Sequence, residues 1–187
     1  MIAFQYSARF GIVFSAAACL FLVGCAFPVR NPPATAADVE VRRYLGRWYE
    51  IARLPMPFQK TGEAAMAEYG LNADDTLSVH NVAVRSDGSE HGIRGYATVL
   101  NPPQNTKLAV RFNTWFGPLI PVPKAGTYWS LYRDEEYRTS IVGTPDRKYL
   151  WILSRSPKIS EAELSDLKAR AKKLGFDLSR LIRDPRN

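Results

Sequence analysis

Few residues in this chain have the types and spacing that catalysis needs. The two histidines, His80 and His91, belong to no recognisable motif, and the chain has no Gly-x-Ser-x-Gly turn, cysteine–histidine nucleophile or phosphate-binding loop. Glu50 is the remaining candidate, because burial in apolar surroundings would raise the pKa of its carboxyl group. A single buried carboxylate is more often satisfied by its neighbours than catalytic. The sequence therefore predicts a protein that is not an enzyme and uses neither a metal nor a cofactor.

Cys25 offers a different chemistry, the acylation of a thiol. It ends the tetrad Leu22-Val23-Gly24-Cys25, which closes an uncharged apolar run that follows Arg9. A basic residue, a short apolar run and small residues are typical of a secretory signal peptide. The run is shorter than the about 20 apolar residues of a membrane span.

The tetrad resembles the lipobox of bacterial lipoproteins, whose cysteine sulfur receives a diacylglycerol and becomes the N-terminus after cleavage. The resemblance implies a signal peptide over residues 1–24 and a lipid on Cys25. Ala26, in place of an aspartate, implies an outer-membrane address. Cleavage would leave Cys25 as the only cysteine, with no intramolecular disulfide and no cysteine zinc site. The alternatives are a retained membrane anchor, or an unmodified cysteine comparable to Cys19.

The chain is basic, with a net charge of +7, and several of its cations cluster toward the C-terminus. Three interpretations are open: nucleic acid binding, attraction to anionic lipid headgroups, or a solvated helix face. A secreted, anchored protein rarely meets nucleic acid, so we expect no nucleic acid partner. The solvated face is the simplest of the three, and lipid headgroups come second.

The elements that position these residues follow from the alternation of apolar and polar side chains. Residues 26–38 contain three prolines and several small residues, and we interpret 25–38 as the lipidated cysteine and its tether. A single domain follows over 39–187. Eight strands are predicted within it: 46–54, 64–72, 76–85, 92–100, 106–114, 126–133, 138–143 and 149–155.

One helix is predicted after the strands, starting at a capping box of Ser160 and Glu163 and ending near Gly175. Its apolar face consists of Leu164, Leu167, Ala171 and Leu174. Closure into a barrel removes the exposed edges of eight antiparallel strands and leaves room for one small ligand. The sequence thus predicts an all-β fold, an eight-stranded antiparallel up-and-down β-barrel with one C-terminal α-helix packed outside.

Two distant segments resemble the lipocalin family in its bacterial and apolipoprotein-D-like branch. Residues 46–53, Gly-Arg-Trp-Tyr-Glu-Ile-Ala-Arg, resemble the first lipocalin signature, and Arg155 stands at the arginine of the third. The second signature is only partial, with Asp134 and Tyr137 in an altered arrangement. The resemblance covers roughly residues 39–178.

The resemblance implies a structural role for Gly46, Trp48 and Arg155. In the family the tryptophan fills the closed end of the barrel and the arginine covers it, a cation–π contact of about 0.5–2 kcal/mol. Gly46 would allow a close backbone approach at the barrel floor.

The predicted ligand site is the barrel interior, whose lining follows from the alternation of side chains along each strand. If Trp48 points inward, Ala52 does too, while Ile51 and Arg53 face outward. The family pattern, rather than alternation, places Trp129 inside. The direction of the last strand is left undecided. The residues expected to contact the ligand are Ala52, Ala67, Tyr69, Leu108, Val110, Phe112, Trp129 and Leu131.

An apolar interior suits a fatty acid or a lysophospholipid-like chain. We therefore expect a lipid-anchored outer-membrane lipocalin that binds, stores or transports such lipids in the cell envelope. Two alternatives stay open: an anchored structural or interaction protein whose barrel is filled by its own side chains, and a lipocalin-fold enzyme. The apolar, proline-rich segment 115–123 is either a ligand mouth, dimer or membrane contact, or a loop over the rim. A homodimer is a further open expectation.

Overall fold

The structure, a computed structural model, describes residues 29–57, 59–113 and 127–186. The predicted signal peptide, Cys25 and the segment 115–123 lie outside these residues. The ends of the eight predicted strands agree with the observed ends to within two residues where both are described. The strands are β1 Gly46–Arg53, β2 Ala64–Leu71, β3 Leu77–Val84, β4 Glu90–Val99, β5 Lys107–Phe112, β6 Tyr128–Arg133, β7 Thr139–Gly143 and β8 Leu150–Ser154.

The eight strands form a closed barrel. Each strand pairs antiparallel with the next, and β1 pairs with both β2 and β8, which closes the sheet. The predicted up-and-down barrel is therefore confirmed. A short helix α1, Val41–Tyr44, lies with the turn 134–138 at one end, here called the closed end. The loop 54–63 and the turn 144–149 lie at the opposite, open end.

One face of every strand contributes to a shared interior cluster of apolar side chains. This is the geometry expected when alternate side chains of a small barrel point toward its axis. One member from each strand, in chain order, is Trp48, Tyr69, Val79, Ala97, Val110, Tyr128, Val142 and Leu153.

A second apolar cluster, the helix-side cluster, lies on the outside of the barrel under helix α2, Glu161–Lys173. Leu164, Leu167 and Ala171 of the helix are buried in it, as predicted from their spacing. The predicted capping box is also present, since Ser160 and Glu163 each accept from the other's backbone N–H. No helix in the described ranges is long and apolar enough to cross a bilayer.

Two strands contain register shifts that change which way their side chains point. The shift in β1 falls between Glu50 and Ala52, and the shift in β6 falls between Ser130 and Tyr132. An extra residue in one strand of a pair interrupts the alternation of faces. Side-chain directions beyond each shift therefore depend on pairing as well as on the local pattern.

The chain before β1 lies along the outside of the barrel. Arg147 donates to Asn31 O (2.8 Å), and Ala36 N donates to Ser130 O (3.0 Å). Asp38 pairs with Arg133. The described part of the predicted tether thus packs against the barrel wall.

The C-terminal residues fill a gap in the wall, because β1 and β2 pair no further than Tyr49. A ninth strand β9, Ile182–Arg183, pairs with the end of β1 instead. Asp184 N donates to Ile51 O (2.9 Å), and the Asp184 carboxylate accepts from Ala65 N (3.1 Å). Arg186 donates to Ala65 O (2.7 Å). This segment and helix α1 were not predicted from the sequence.

Candidate ligand site

The floor of the barrel is closed by Trp48 and Arg155. Trp48 has no exposed surface, and its indole N–H donates to Tyr44 O (2.8 Å). The Arg155 guanidinium lies over the indole ring, 3.9 Å from its centroid, and donates to Arg47 O (2.7 Å) and Arg43 O (2.8 Å). Arg155 thereby connects the end of β8 with the backbone of α1 and with the start of β1. The expected stacking of the two signature residues is confirmed.

Gly46 begins β1 with a φ of +86°, a backbone region that disfavours side chains. A Cβ at this position would lie 3.7 Å from the Arg155 guanidinium. The positive φ of Gly46, rather than the close backbone approach expected at the barrel floor, is therefore the main reason for glycine at this position.

The partial second signature forms a compact turn at the closed end. The Asp134 carboxylate accepts from Arg138 N (2.7 Å) and from the backbone and hydroxyl of Thr139 (3.2 and 3.1 Å). The Tyr137 hydroxyl accepts from Glu40 N (2.8 Å), which fixes the segment before α1. Both residues are therefore structural.

A layer of tyrosines lies above the floor. The hydroxyls of Tyr69 and Tyr128 are 2.9 Å apart, and the Tyr44 hydroxyl donates to Ser140 Oγ (2.9 Å). Burial raises the pKa of Tyr69 to about 12 and raises those of Tyr44 and Tyr128 as well. All three phenols are therefore neutral at physiological pH, and the lower interior carries no tyrosinate charge.

Below and beside this layer the interior is nearly filled. A gap of about 20 Å³ lies between α1 and the lower strands, which is room for about one water molecule. A gap of this size is too small for a lipid chain.

The interior wall around and above the tyrosine layer is largely apolar, and several of its side chains, including Val110, Phe112 and Trp151, are only half-buried. Five of the predicted contact residues belong to the interior cluster or pack against it: Ala67, Tyr69, Leu108, Val110 and Phe112. Trp151 and Leu153 also belong to this side, which decides the direction of β8 that the sequence left open. Tyr128 is a further wall residue that the sequence analysis missed, because alternation cannot choose between it and the neighbouring Trp129.

The interior direction predicted for Trp129 and Leu131 is wrong. Both belong to the helix-side cluster. Trp129 pairs with Lys107, whose ammonium lies 4.3 Å from the indole centroid, and directly opposite residues of paired strands share a face. Lys107 is the outward, polar neighbour of Leu108, so Trp129 faces outward too.

The interior direction predicted for Ala52 is also wrong. The register shift after Glu50 places both Ile51 and Ala52 in the helix-side cluster. The same shift turns Arg53, predicted to face outward, into the protein, where its exposed fraction is 1%.

Buried charges lie near the open end of the interior. The Arg53 guanidinium is 3.2 Å from the Glu50 carboxylate and donates to Gln59 O (3.0 Å) and Lys60 O (2.9 Å). Gln59 also donates to Glu50 (3.1 Å). Burial raises the pKa of Glu50 to about 7, although Arg53 and Gln59 oppose the shift. Glu50 thus lies by the loop 54–63 and not at the floor, and its contacts hold that loop in place.

A second polar group lies at the rim. The buried Glu63 accepts from Lys60 N (3.0 Å) and is 3.6 Å from Arg85 and 3.8 Å from His91. His91 is thus a rim residue. His80 lies elsewhere, on the outer face of β3, beside an open concavity of about 630 Å³. The two histidines do not come together.

The described residues hold no cluster of three or more His, Cys, Asp and Glu suited to a metal ion. Glu50, the carboxylate weighed as a catalytic candidate, is engaged by Arg53 and Gln59. The arrangement is an apolar interior wall between a neutral tyrosine layer and a rim that carries Glu63, Arg85 and His91.

Comparison with known proteins agrees with this geometry. The family model described as a lipocalin-like domain matches residues 39–186. Temperature-induced lipocalin-1 of Arabidopsis thaliana is 40% identical over 152 residues, which cover 80% of each chain. Outer membrane lipoprotein Blc of Escherichia coli (strain K12) is 38% identical over 175 residues, covering 91% of this chain and 93% of that protein.

Apolipoprotein D of Bos taurus is 35% identical over 142 residues, covering 73% of this chain and 71% of that protein. None of these three relatives carries an enzyme's name. The match of the family model over most of the chain, the three relatives and the closed barrel with its Trp48–Arg155 floor together show that this chain belongs to the lipocalin family.

Proposed function

We propose that this lipocalin holds one single-chain lipid, a fatty acid or a lysophospholipid, inside its barrel, and that a lipid on Cys25 anchors it to the outer membrane. The observation that carries the proposal is that the burial of interior side chains decreases from the closed end of the barrel toward the open end. Trp48 is fully buried at the floor, whereas Val110, Phe112 and Trp151 on the wall above are only half-buried.

The chemistry of the interior favours an acyl chain as the occupant. Each methylene removed from water contributes about 0.8 kcal/mol, so an apolar wall binds a long chain more strongly than a short one. A chain is also thin enough for an eight-stranded barrel, which has room for one small ligand.

The distribution of charge favours one orientation of the lipid. The neutral Tyr44, Tyr69 and Tyr128 form the lower layer, while Arg85 and His91 lie at the rim with Glu63. A charged headgroup is costly to bury without partners. The acyl tail therefore points toward Trp48, and the headgroup stays at the rim.

The anchor and location rest on the N-terminal sequence and on relatives. Leu22-Val23-Gly24-Cys25 has the lipobox pattern, and Ala26 follows it. The Escherichia coli relative is named an outer membrane lipoprotein. These two observations support acylation of Cys25 and an outer-membrane address for this chain.

Native mass spectrometry with lipid extraction tests the ligand directly. The chain from residue 26 onward is purified without added lipid, and we expect it to carry a fatty acid or lysophospholipid. An empty barrel that also fails to bind added oleate or lysophosphatidylethanolamine would overturn the proposal and favour a barrel filled by its own side chains.

A pair of neighbouring variants separates the interior from the surface. Ala67→Trp places a large side chain on the interior wall, whereas Glu68→Trp places the same side chain on the outer face of β2. Ala67→Trp should lower the bound lipid fraction at least tenfold, and Glu68→Trp should leave it unchanged. Equal losses in both variants would contradict an interior site.

A further inference from the structure

We propose that the open end of the barrel faces the membrane that holds the anchor and contacts the anionic surface of that bilayer. The proposal rests on acylation of Cys25. It adds the orientation of the molecule and the surface that meets the headgroups.

The path of the N-terminal segment carries the first step. Asn31 O accepts from Arg147, which lies in the turn 144–149 at the open end. Val39 N donates to Gln104 O (2.8 Å) in the turn between β4 and β5, at the closed end. The chain therefore arrives at the open end and runs down the barrel wall toward the closed end.

The reach of the chain carries the second step. Six peptide units join Cys25 to Asn31, and at most ~3.6 Å per residue they span no more than about 22 Å. The eight residues of β3, Leu77–Val84, extend about 26 Å along the strand, and a strand tilt of about 40° makes that about 20 Å along the barrel axis. A closed end lying on the bilayer would require this short link to run back along nearly the whole barrel. An open end on the bilayer requires no such return.

The charge of the two ends carries the third step. The exposed basic side chains at the open end are Lys60, Arg85, Lys148, Lys172, Lys173 and Arg180, and the exposed acidic side chains there are Asp87, Glu90, Asp146 and Asp177. Lys172 and Lys173 reach this end because Arg147 donates to Leu174 O (2.8 Å) just after α2.

The closed end carries acidic turns instead. Asp74 and Asp75 lie exposed between β2 and β3, and Glu135 and Glu136 lie exposed between β6 and β7. The other exposed charges at this end are Asp38, Glu40, Arg42, Arg43, Arg47, Arg138 and Lys158. An anionic surface attracts the basic end and repels these turns. Anchor position and charge therefore favour the same orientation. A lipid could then pass between bilayer and barrel without crossing bulk water.

Site-specific quenching tests the orientation. The full acylated protein is reconstituted into phosphatidylethanolamine vesicles containing phosphatidylglycerol, with an azide-bearing amino acid and a click-attached fluorophore in place of Lys148 or Glu135. Lipids with a spin label on the headgroup then quench the fluorophore. We expect several-fold stronger quenching at position 148 than at position 135. Equal quenching, or stronger quenching at position 135, would overturn the proposal.

Charge reversal provides a matched control. Lys148→Glu combined with Lys172→Glu should weaken quenching of a fluorophore at position 85, at the same open end. Arg42→Glu combined with Arg138→Glu, at the closed end, should not. An equal effect of both sets would show that charge does not orient the barrel.

The failure of the anchor and the failure of the orientation can be told apart. The intact mass of the purified protein shows whether Cys25 carries a diacylglycerol, and an unmodified Cys25 refutes the proposed anchoring. The orientation is then measured on the chain from residue 25, with Cys25 coupled to a maleimide phospholipid in the same vesicles. In that experiment equal quenching at the two ends still refutes the orientation.

Discussion

Arg155 links three parts of the closed end through one side chain. Its guanidinium covers Trp48 and donates to two backbone carbonyls near α1, while its Nε donates to Tyr137 O (3.3 Å). A planar group with five donors can make these contacts together, and an ammonium group cannot. The residue therefore acts on stability rather than on ligand chemistry.

Replacing Arg155 tests this role. Arg155→Ala should lower the free energy of unfolding by about 2–4 kcal/mol, because the cation–π contact is lost and carbonyls lose their donors. Arg155→Lys should recover only part of that loss. Urea unfolding followed by Trp fluorescence measures both, with the exposed Arg138→Ala as the control. A full rescue by lysine would contradict the bidentate role.

Glu50 is a buried carboxyl whose protonation is coupled to folding. Burial raises its pKa from 4.5 to about 7 in the folded protein. Between these values the folded state holds a proton that the unfolded state has released. Stability from this group is therefore present below pH 4.5 and is lost as the pH rises to about 7.

The pH dependence of unfolding tests this coupling. Wild-type protein should lose up to about 3 kcal/mol from this group between pH 4.5 and pH 8, and Glu50→Gln should remove that slope. The difference between the two urea midpoint profiles isolates Glu50 from the other carboxyls. Glu161→Gln, at an exposed position of α2, is the control. Parallel profiles for wild type and Glu50→Gln would show that folding does not raise the pKa of Glu50.

At the scale of the element, each strand separates two apolar environments. Trp129 and Trp151 have the same side chain and lie on β6 and β8, yet one packs against α2 and the other lines the interior. Cross-strand register decides between the two faces, since a slip of one residue exchanges every side chain between them. The two tryptophans should therefore respond differently to a bound lipid.

A brominated fatty acid distinguishes the two faces by quenching nearby indoles. Trp151→Phe should remove most of the ligand-dependent quenching, and Trp129→Phe should leave it intact. Trp129→Ala should instead lower stability by about 3–5 kcal/mol, because it opens a cavity beneath α2. If Trp129→Phe loses the quenching and Trp151→Phe keeps it, Trp129 lies inside the barrel, as the family pattern suggested.

At the scale of the whole molecule, the barrel wall is completed by two segments that flank the eight strands, residues 31–39 and 182–186. The N-terminal segment lies along β6, and the C-terminal segment fills the gap between β1 and β2. Asp184 is central to the C-terminal segment's contact with β1 and β2. Its exposed fraction is 1%, and it forms an ion pair with Arg186. Both segments are therefore part of the fold.

Asp184→Ala tests the closure of this gap. The change leaves Ala65 N without its acceptor and removes the partner of Arg186, so we expect a loss of about 2–4 kcal/mol. Hydrogen exchange should increase first at the ends of β1 and β2 that face the open end. Asp177→Ala, at an exposed position, is the control. An equal loss of unfolding free energy in that variant would argue against a specific role for Asp184 in closing the gap between β1 and β2.

The local pattern of this sequence was sufficient for the strands and the capped helix, whereas the contact of Trp48 with Arg155 was expected from the family resemblance. Alternation, turn residues and a capping box act over a few residues, so they can be recognised without knowing the fold. The same reasoning placed Leu108 and Val110 on the interior wall, because polarity distinguishes the two faces of β5.

Only the tertiary structure decided the directions of Ala52, Trp129 and Leu131. The sheet alternates with a period of two, but a bulge or a change of register arises from the pairing between distant strands. The burial of Arg53, the course of residues 31–39 and the closure at Asp184 likewise depend on contacts between residues far apart in sequence. Such contacts leave no local period, because their partners are brought together only when the barrel closes.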